Sequence, residues 1–206
     1  WGIKKKNSRN YGHSEDIKVV KEIIDAAVLK KIKFLTLYTF STENWRRPKK
    51  EINFLFKLID NYFVKEITNL VENNIKINII GNIKILPKKV KLRLTESMRR
   101  TNKCKKILIN LAINYGSKNE ILNAIKKIRN KPNLKKIENN LYTQKMPDPD
   151  ILIRTGGQHR LSNFMLWQLA YAELFFLNKL WPDFNVTDLR KVINKFKKRK
   201  RNFGAI

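Results

Sequence analysis

Short apolar runs alternate with longer stretches of helical period along almost the whole chain, and this alternation restricts the fold more than any single motif does. Ser14 is placed to cap a helix in which Ile17, Val20, Ile24, Ala27 and Val28 recur at helical spacing, and the aromatic strand "FLTLYTF" (34–40) follows. Pro48 suits a first helical turn. Behind it Ile52, Leu55, Phe56, Ile59, Phe63, Ile67 and Leu70 draw an apolar stripe along a long helix. "IKINII" (75–80) is the next strand, Val90, Leu94 and Met98 mark a helix, and "KILINLAI" (106–113) is a third strand. "SKNE" (117–120) has the form of a capping box opening a helix through Ile121, Ile125 and Ile128. A polar loop over 130–140 then leads to a strand "DILI" (150–153), a helix "NFMLWQLAYAE" (163–173), a strand "LFFL" (174–177) and a basic helix capped by Thr187. Helices and strands in this order predict an α/β fold, one domain with a mostly parallel central β-sheet flanked by helices on both faces.

The length of 206 residues suits one domain with a sizeable core and leaves little for a second. Forty-five Lys and Arg against 17 Asp and Glu give a formal charge of +28, which directs attention to polyanions, phosphorylated metabolites and anionic membrane surfaces. Lys, Asn and Ile are abundant throughout, a pattern that fits an AT-rich coding sequence better than a single selected basic face. Cys104 is the only cysteine, so no internal disulfide and no cysteine-rich zinc site can form, and a cytoplasmic setting is expected. No apolar stretch reaches the ~20 residues of a membrane span.

In open α/β sheets ligands bind beyond the carboxyl ends of the strands, and three polar clusters fall there: "STENWRR", "NYGSKNE" and "RTGGQHR". In the last, the glycines allow backbone amides to approach an anion closely, while Arg154, Arg160 and Ser162 supply donors suited to phosphate oxygens. A helix following Ser162 would add its positive amino end. In the first, Ser41, Thr42, Glu43, Asn44, Trp45 and Arg47 crowd one strand end; the segment reads equally as a functional loop and as a capped turn before Pro48. Arg9 and His13 lie ahead of a helix start, another place suited to phosphate. Glu173 near the end of an apolar helix needs a cation, either as a metal ligand with His159 or in a salt bridge with Lys or Arg. "PDPD" (147–150) is a rigid turn rather than a carboxylate pair, and GxxxxGK[ST], GxGxxG and HExxH are all lacking.

Taken together, "LTLYTFSTENWRRP" (35–48), "DILIRTGGQHRLSNFMLWQLAYAELFF" (150–176) and "LWPDF" (180–184) resemble the cis-prenyltransferases, over Trp1 to about Gly204. The resemblance implies condensation of an allylic diphosphate, farnesyl diphosphate, with successive isopentenyl diphosphates to a long-chain cis-polyprenyl diphosphate. It also implies an apolar product channel, a requirement for Mg2+ and a homodimer. The product would be undecaprenyl diphosphate, the carrier lipid of cell-wall assembly. By matching position, Arg154, Arg160 and Ser162 correspond to isopentenyl diphosphate contacts and Arg9 and His13 to the allylic site, with Trp1 and Leu161 as further substrate-binding positions. Arg47 corresponds to a further substrate-binding arginine. Ser41, Thr42, Glu43 and Trp45 correspond to a substrate-positioning loop, Asn44 to the proton acceptor, and His159 with Glu173 to magnesium ligands. An amide is too weak a base to act alone, so Asn44 is expected to orient a water or diphosphate oxygen that takes the proton.

Members of the family carry a strand ending in Asp-Gly-Asn-Gly-Arg just before the position of Trp1, with the central catalytic and magnesium-binding aspartate. Its absence from the sequence predicts that these residues are part of a longer protein. Gln158 stands where Glu is usual, and Asn202 replaces an arginine in "RNFGA". Two other readings stay open: a noncatalytic subunit of the same fold, and a basic nucleic-acid-binding protein suggested by "KKRKR" (197–201). No nucleic-acid motif supports the second, and no nucleic-acid partner is expected. Peripheral contact with the inner face of a membrane is compatible with the charge.

Overall fold

The structure is a computed structural model that describes residues 1–2, 5 and 8–202; the side chain of Arg9 and residues 203–206 of the "RNFGA" tail lie outside the described residues. The chain adopts the α/β class that the alternation predicts, and every strand pairing is parallel. The strands form two sheets, one in each of two compact units: residues 27–146, and residues 1–26 with 147–206.

In the 27–146 unit the strands are β1 (Phe34–Ser41), β2 (Ile75–Ile80) and β3 (Ile107–Tyr115), in the order β1-β3-β2. β3 occupies the centre, and eight of its nine residues are buried, as a strand covered on both faces must be. A polar row crosses this apolar sheet. Thr36, Asn110 and Asn78 are in register, with Asn78 Nδ2 donating to Asn110 Oδ1 at 2.8 Å and Asn110 Nδ2 to Thr36 Oγ1 at 3.2 Å. A slip of one residue would strand a buried amide among isoleucines, so the row fixes the register. Helix α2 (Lys49–Glu72) buries Ile52, Phe56, Phe63, Ile67 and Leu70, five of the seven residues of the expected stripe. It packs against α3 (Lys88–Arg100), which buries Val90 and Leu94. The buried Asp60 of α2 receives Lys89 Nζ at 2.7 Å and Arg93 Nε at 2.9 Å from α3. β2 is an edge strand, and the Ile77 amide is satisfied by the buried Thr101 hydroxyl at the end of α3, at 3.0 Å.

"SKNE" does not form a capping box. Helix α4 (Ser117–Lys126) starts after Gly116 with no side-chain cap. Glu120 turns inward instead, where its carboxylate accepts from the Tyr115 hydroxyl at 2.5 Å and the Tyr142 amide at 2.8 Å. Those two donors make burial of the charge tolerable and outcompete the cap. Within the expected loop over 130–140 a short helix α5 (Leu134–Glu138) forms, because the Asn133 side chain accepts from the Lys136 amide at 2.9 Å.

The other unit contains most of helix α1 (Arg9–Leu29), strands β4 (Ile151–Arg154) and β5 (Glu173–Phe176), and helix α6 (Val186–Lys197). α1 begins five residues before Ser14. Ser8 Oγ accepts from the Tyr11 amide at 3.2 Å, in the manner of an N-cap, while the Ser14 hydroxyl donates to the Asn10 carbonyl inside the helix. Arg9 and His13 therefore sit within its first turns rather than ahead of them. Residues 163–172 are turns, not the expected helix. Ser162, Asn163 and Met165 have φ of 51°, 61° and 46°, and left-handed residues interrupt a right-handed helix. Phe164, Met165 and Leu169 are still buried, so the apolar pattern was informative about burial and misleading about period. Glu173 is accordingly the first residue of β5 and not a helix end. Asn185, not Thr187, caps α6, in a reciprocal box with Asp188.

Candidate functional site

At the carboxyl edge of the three-stranded sheet, β1 runs out at Ser41 into a 3-10 turn, Thr42–Arg46. Asn44 Oδ1 accepts from the Ser41 amide at 2.9 Å, closing that turn. With its oxygen so engaged, Asn44 offers its Nδ2 protons as donors and is not itself a base. Thr42 Oγ1 donates to Glu43 Oε2 at 3.1 Å, and Arg47 Nη1 to the buried Glu51 at 3.0 Å. Trp45 lies edge-on to Phe40 and Phe56, and its indole N–H donates to Asn114 Oδ1 at 2.8 Å.

Asn114 is the hub of this edge. It lies in β3, is 4% exposed and has φ of 49°. Its Nδ2 donates to the Asn82 carbonyl at 2.6 Å, and its own carbonyl accepts from the Asn82 amide at 3.2 Å. Gly81, just before, has φ of 123°, and a Cβ there would lie 2.1 Å from the Ile113 carbonyl oxygen, so only glycine fits. The ends of all three strands are thus linked through asparagine amides. Asn114 and Glu51 escaped sequence reasoning because their partners are distant in sequence or lie a helical turn away inside an apolar stripe. "NYGSKNE" was the one available signal for Asn114.

In the other unit, Arg154 ends β4 and the loop 155–163 returns to it. Arg154 Nη1 donates to Ser162 Oγ at 2.7 Å and also reaches the Arg160 carbonyl oxygen. The glycines act differently from expectation. The Gly156 amide donates to the Lys179 carbonyl at 2.8 Å and the Gly157 amide to the Leu177 carbonyl at 2.9 Å. These amides prolong the β4–β5 pairing and do not point at a ligand; the positive φ of both residues, 91° and 70°, is what allows the turn. The half-buried Arg154 guanidinium and the exposed Arg160 and Ser162 remain as the anion-seeking groups. No acidic side chain occurs in 151–163 to neutralise them. Leu161 is half-buried, its carbonyl accepting from the Phe164 amide at 3.2 Å. Gln158 is exposed and leaves the loop one negative charge poorer than a glutamate would.

The same unit contains His13, whose Nδ1 faces Asp16 at 3.3 Å, and Trp1. The Trp1 indole stacks on Tyr11 and donates to Asp183 Oδ1 at 2.8 Å. Trp181, beside Asp183, donates to the Asp16 carbonyl at 3.3 Å. Asp16 and Asp183 therefore orient these side chains, and only "LWPDF" marked either of them in the sequence.

His159 and Glu173 are not brought together. His159 stacks on Phe176 at the far end of β5 from Glu173, and three strand residues span about 10 Å with the end side chains on opposite faces. Arg199 Nη1 pairs with the Glu173 carboxylate, the salt bridge that was the other reading of this residue. Among the described residues no group of three His, Cys, Asp or Glu side chains could hold a metal ion. His159 and Glu173 therefore do not form a magnesium site as a pair in this structure.

Residues 1–204 match the profile of a family described as "Putative undecaprenyl diphosphate synthase". The chain is 42% identical to an isoprenyl transferase of Helicobacter pylori, covering 100% of this chain and 92% of that one. It is 40% identical to an isoprenyl transferase of Oceanobacillus iheyensis, covering 100% and 86%. Among solved structures it is similar to a probable undecaprenyl diphosphate synthase from Campylobacter jejuni, with a TM-score of 0.85, 34% identity and coverage of 93% and 92%. It is also similar to lavandulyl diphosphate synthase from Lavandula x intermedia in complex with dimethylallyl diphosphate, with a TM-score of 0.95, 30% identity and coverage of 99% and 92%.

Proposed function

Since the chain belongs to the undecaprenyl diphosphate synthase family of isoprenyl transferases, we propose that it joins an allylic diphosphate to isopentenyl diphosphate, with farnesyl diphosphate as primer and a long-chain cis product, undecaprenyl diphosphate. The observation that carries this reading is the cluster of Arg154, Arg160 and Ser162 at the end of β4, two guanidinium groups and a hydroxyl on a loop without acidic side chains. That inventory suits one diphosphate, the isopentenyl one, and Leu161 sets its two neighbours in place. Arg9 and His13 on the first turns of α1, with Trp1, serve the allylic diphosphate, and Arg47 is a further substrate-binding arginine. The dimethylallyl diphosphate bound by the lavender relative supports an allylic substrate class.

In the reaction the C–O bond of the allylic diphosphate breaks, the isopentenyl double bond attacks the allylic carbon, and a proton leaves the new cation. Arginine charge stabilises the departing diphosphate. Asn44 donates through Nδ2 to the oxygen that accepts the proton, while Ser41, Thr42 and Glu43 keep the turn in shape around it. Trp45 covers this end of the sheet against water. Magnesium would add charge neutralisation of the diphosphate; His159 and Glu173 do not form its site as a pair, and no step above depends on it.

The test is incubation of the full-length protein with labelled isopentenyl diphosphate and farnesyl diphosphate. A long-chain product with cis double bonds is the expected result. No product, or trans product alone, overturns the reading; no product together with activation of a partner enzyme would establish the noncatalytic subunit.

A further inference from the structure

The 27–146 unit carries a surface that the chemistry above does not use. On α4, Leu122 and Ile125 lie one turn apart and are 49% and 38% exposed, and Leu134, at the start of the α5 that packs on α4, is 69% exposed. Lys118 and Lys126 stand four residues to either side of Leu122, hence on its face of the helix. Arg129 follows Ile125, and Lys131 and Lys135 flank Leu134, all exposed. Over 117–139 the only acidic residues are Glu120, which is buried and bonded inward, and Glu138, exposed at the end of α5 and outnumbered by the cations around it.

From this juxtaposition of exposed Leu122, Ile125 and Leu134 with a rim of cations, we propose that α4 and α5 form a docking surface for an anionic lipid bilayer. Leucine and isoleucine enter the boundary between headgroups and acyl chains, and the lysines reach lipid phosphates around them, as in interfacial amphipathic helices. The stems of the lysines cover apolar surface while their ammonium groups stay in the headgroup layer. Nucleic acid fits less well: it has no use for exposed leucines, and the patch lacks the aromatic side chains on which bases stack. The inference does not rest on the prenyl-transfer reading.

The experiment is flotation of the full-length protein with vesicles of phosphatidylglycerol and phosphatidylcholine, and with phosphatidylcholine alone. Binding to the anionic vesicles only, weakening as salt is raised, is expected. Each cation near an anionic surface contributes roughly fivefold to partition, so Lys126→Gln with Lys131→Gln and Lys135→Gln lowers it by about a hundredfold. Leu122→Ser with Leu134→Ser also lowers it. A control with Lys30→Gln, Lys84→Gln and Lys88→Gln, equal in charge and exposed elsewhere, leaves most binding intact. Equal loss in the control would assign binding to diffuse charge and overturn the proposal. So would unchanged binding in the leucine pair, or duplex DNA binding that depends on the same lysines while vesicles are ignored. Prenyl transfer between water-soluble diphosphates stays unchanged in every variant, which separates failure of this surface from failure of the enzymatic reading.

Discussion

Asn114 occupies a left-handed conformation, donates to the Asn82 carbonyl and receives the Trp45 indole, so one side chain shapes the edge on which Asn44 sits. Each hydrogen bond contributes about 1 kcal/mol and a left-handed non-glycine residue costs about 1–2 kcal/mol. Asn114→Ala should therefore lose about 2–3 kcal/mol by urea denaturation, while Asn114→Gly, free of backbone strain, should lose less. Arg154 makes a second prediction. Its Nη1 bonds to Ser162 and to the Arg160 carbonyl order the loop, and lysine lacks the guanidinium fork. Arg154→Lys should raise the isopentenyl diphosphate KM about tenfold with a smaller change in kcat, and Arg154→Ala about a hundredfold, consistent with a charged hydrogen bond of about 1.5–3 kcal/mol. An unchanged KM in steady-state kinetics would remove Arg154 from the site. The sequence could mark Arg154 and Ser162 because donors crowd a Gly-Gly turn. It could not show that Arg199 answers Glu173 or that Asp183 holds Trp1, since those partners lie 26 and 182 residues away.

Between α2 and α3, the Asp60 carboxyl is held below the usual carboxylate range, first by the Lys89 and Arg93 hydrogen bonds and then by their charges, against the opposing effect of burial. A carboxyl whose folded pKa is depressed stabilises the fold above its unfolded pKa and loses that contribution as pH falls through the folded one. The stability difference between the protein and Asp60→Asn should thus be full above about pH 5 and shrink below about pH 4. Denaturant midpoints at a series of pH values measure it; a difference that stays constant into acid would deny the pair this role. Elements of this kind were legible where the period was long and the apolar side unbroken. The stripe of α2 and the three strands of the first sheet came from such patterns. The segment 163–172 did not, because a stripe of Phe164, Met165 and Leu169 fits both a helix and a buried succession of turns, and no pattern of polarity encodes the φ of Ser162 or Asn163. Caps were misplaced for a related reason: Ser8, Ser14, Asn185 and Thr187 are all chemically able to cap, and packing selects among them.

For the chain as a whole, a formal charge of +28 disfavours any compact state through self-repulsion, and salt screens it. Raising ionic strength from low to physiological should increase Tm, each 1 kcal/mol gained corresponding to about 2–4 °C for a chain of this size. A fall in Tm by calorimetry would mean that pairs such as Asp60 with Arg93 outweigh the repulsion. Composition alone made this much readable; the division of the strands into two sheets was not, because alternation predicts parallel pairing without saying where a ladder is interrupted. The strand order carries a consequence for how the protein is made. Among the described strands β1 and β2 never pair with each other and both pair only with β3, so during synthesis the pairing seen in this sheet waits for the central strand. At about 5–20 residues per second, the 35 positions from Ile80 to Tyr115 keep β2 waiting for β3 for roughly 2–7 s, and β1 waits about twice as long. Nascent chains halted before Ile107 should be cut readily by protease and held by chaperones, and chains released beyond Tyr115 should resist, which makes the central strand the event that commits this unit to its fold.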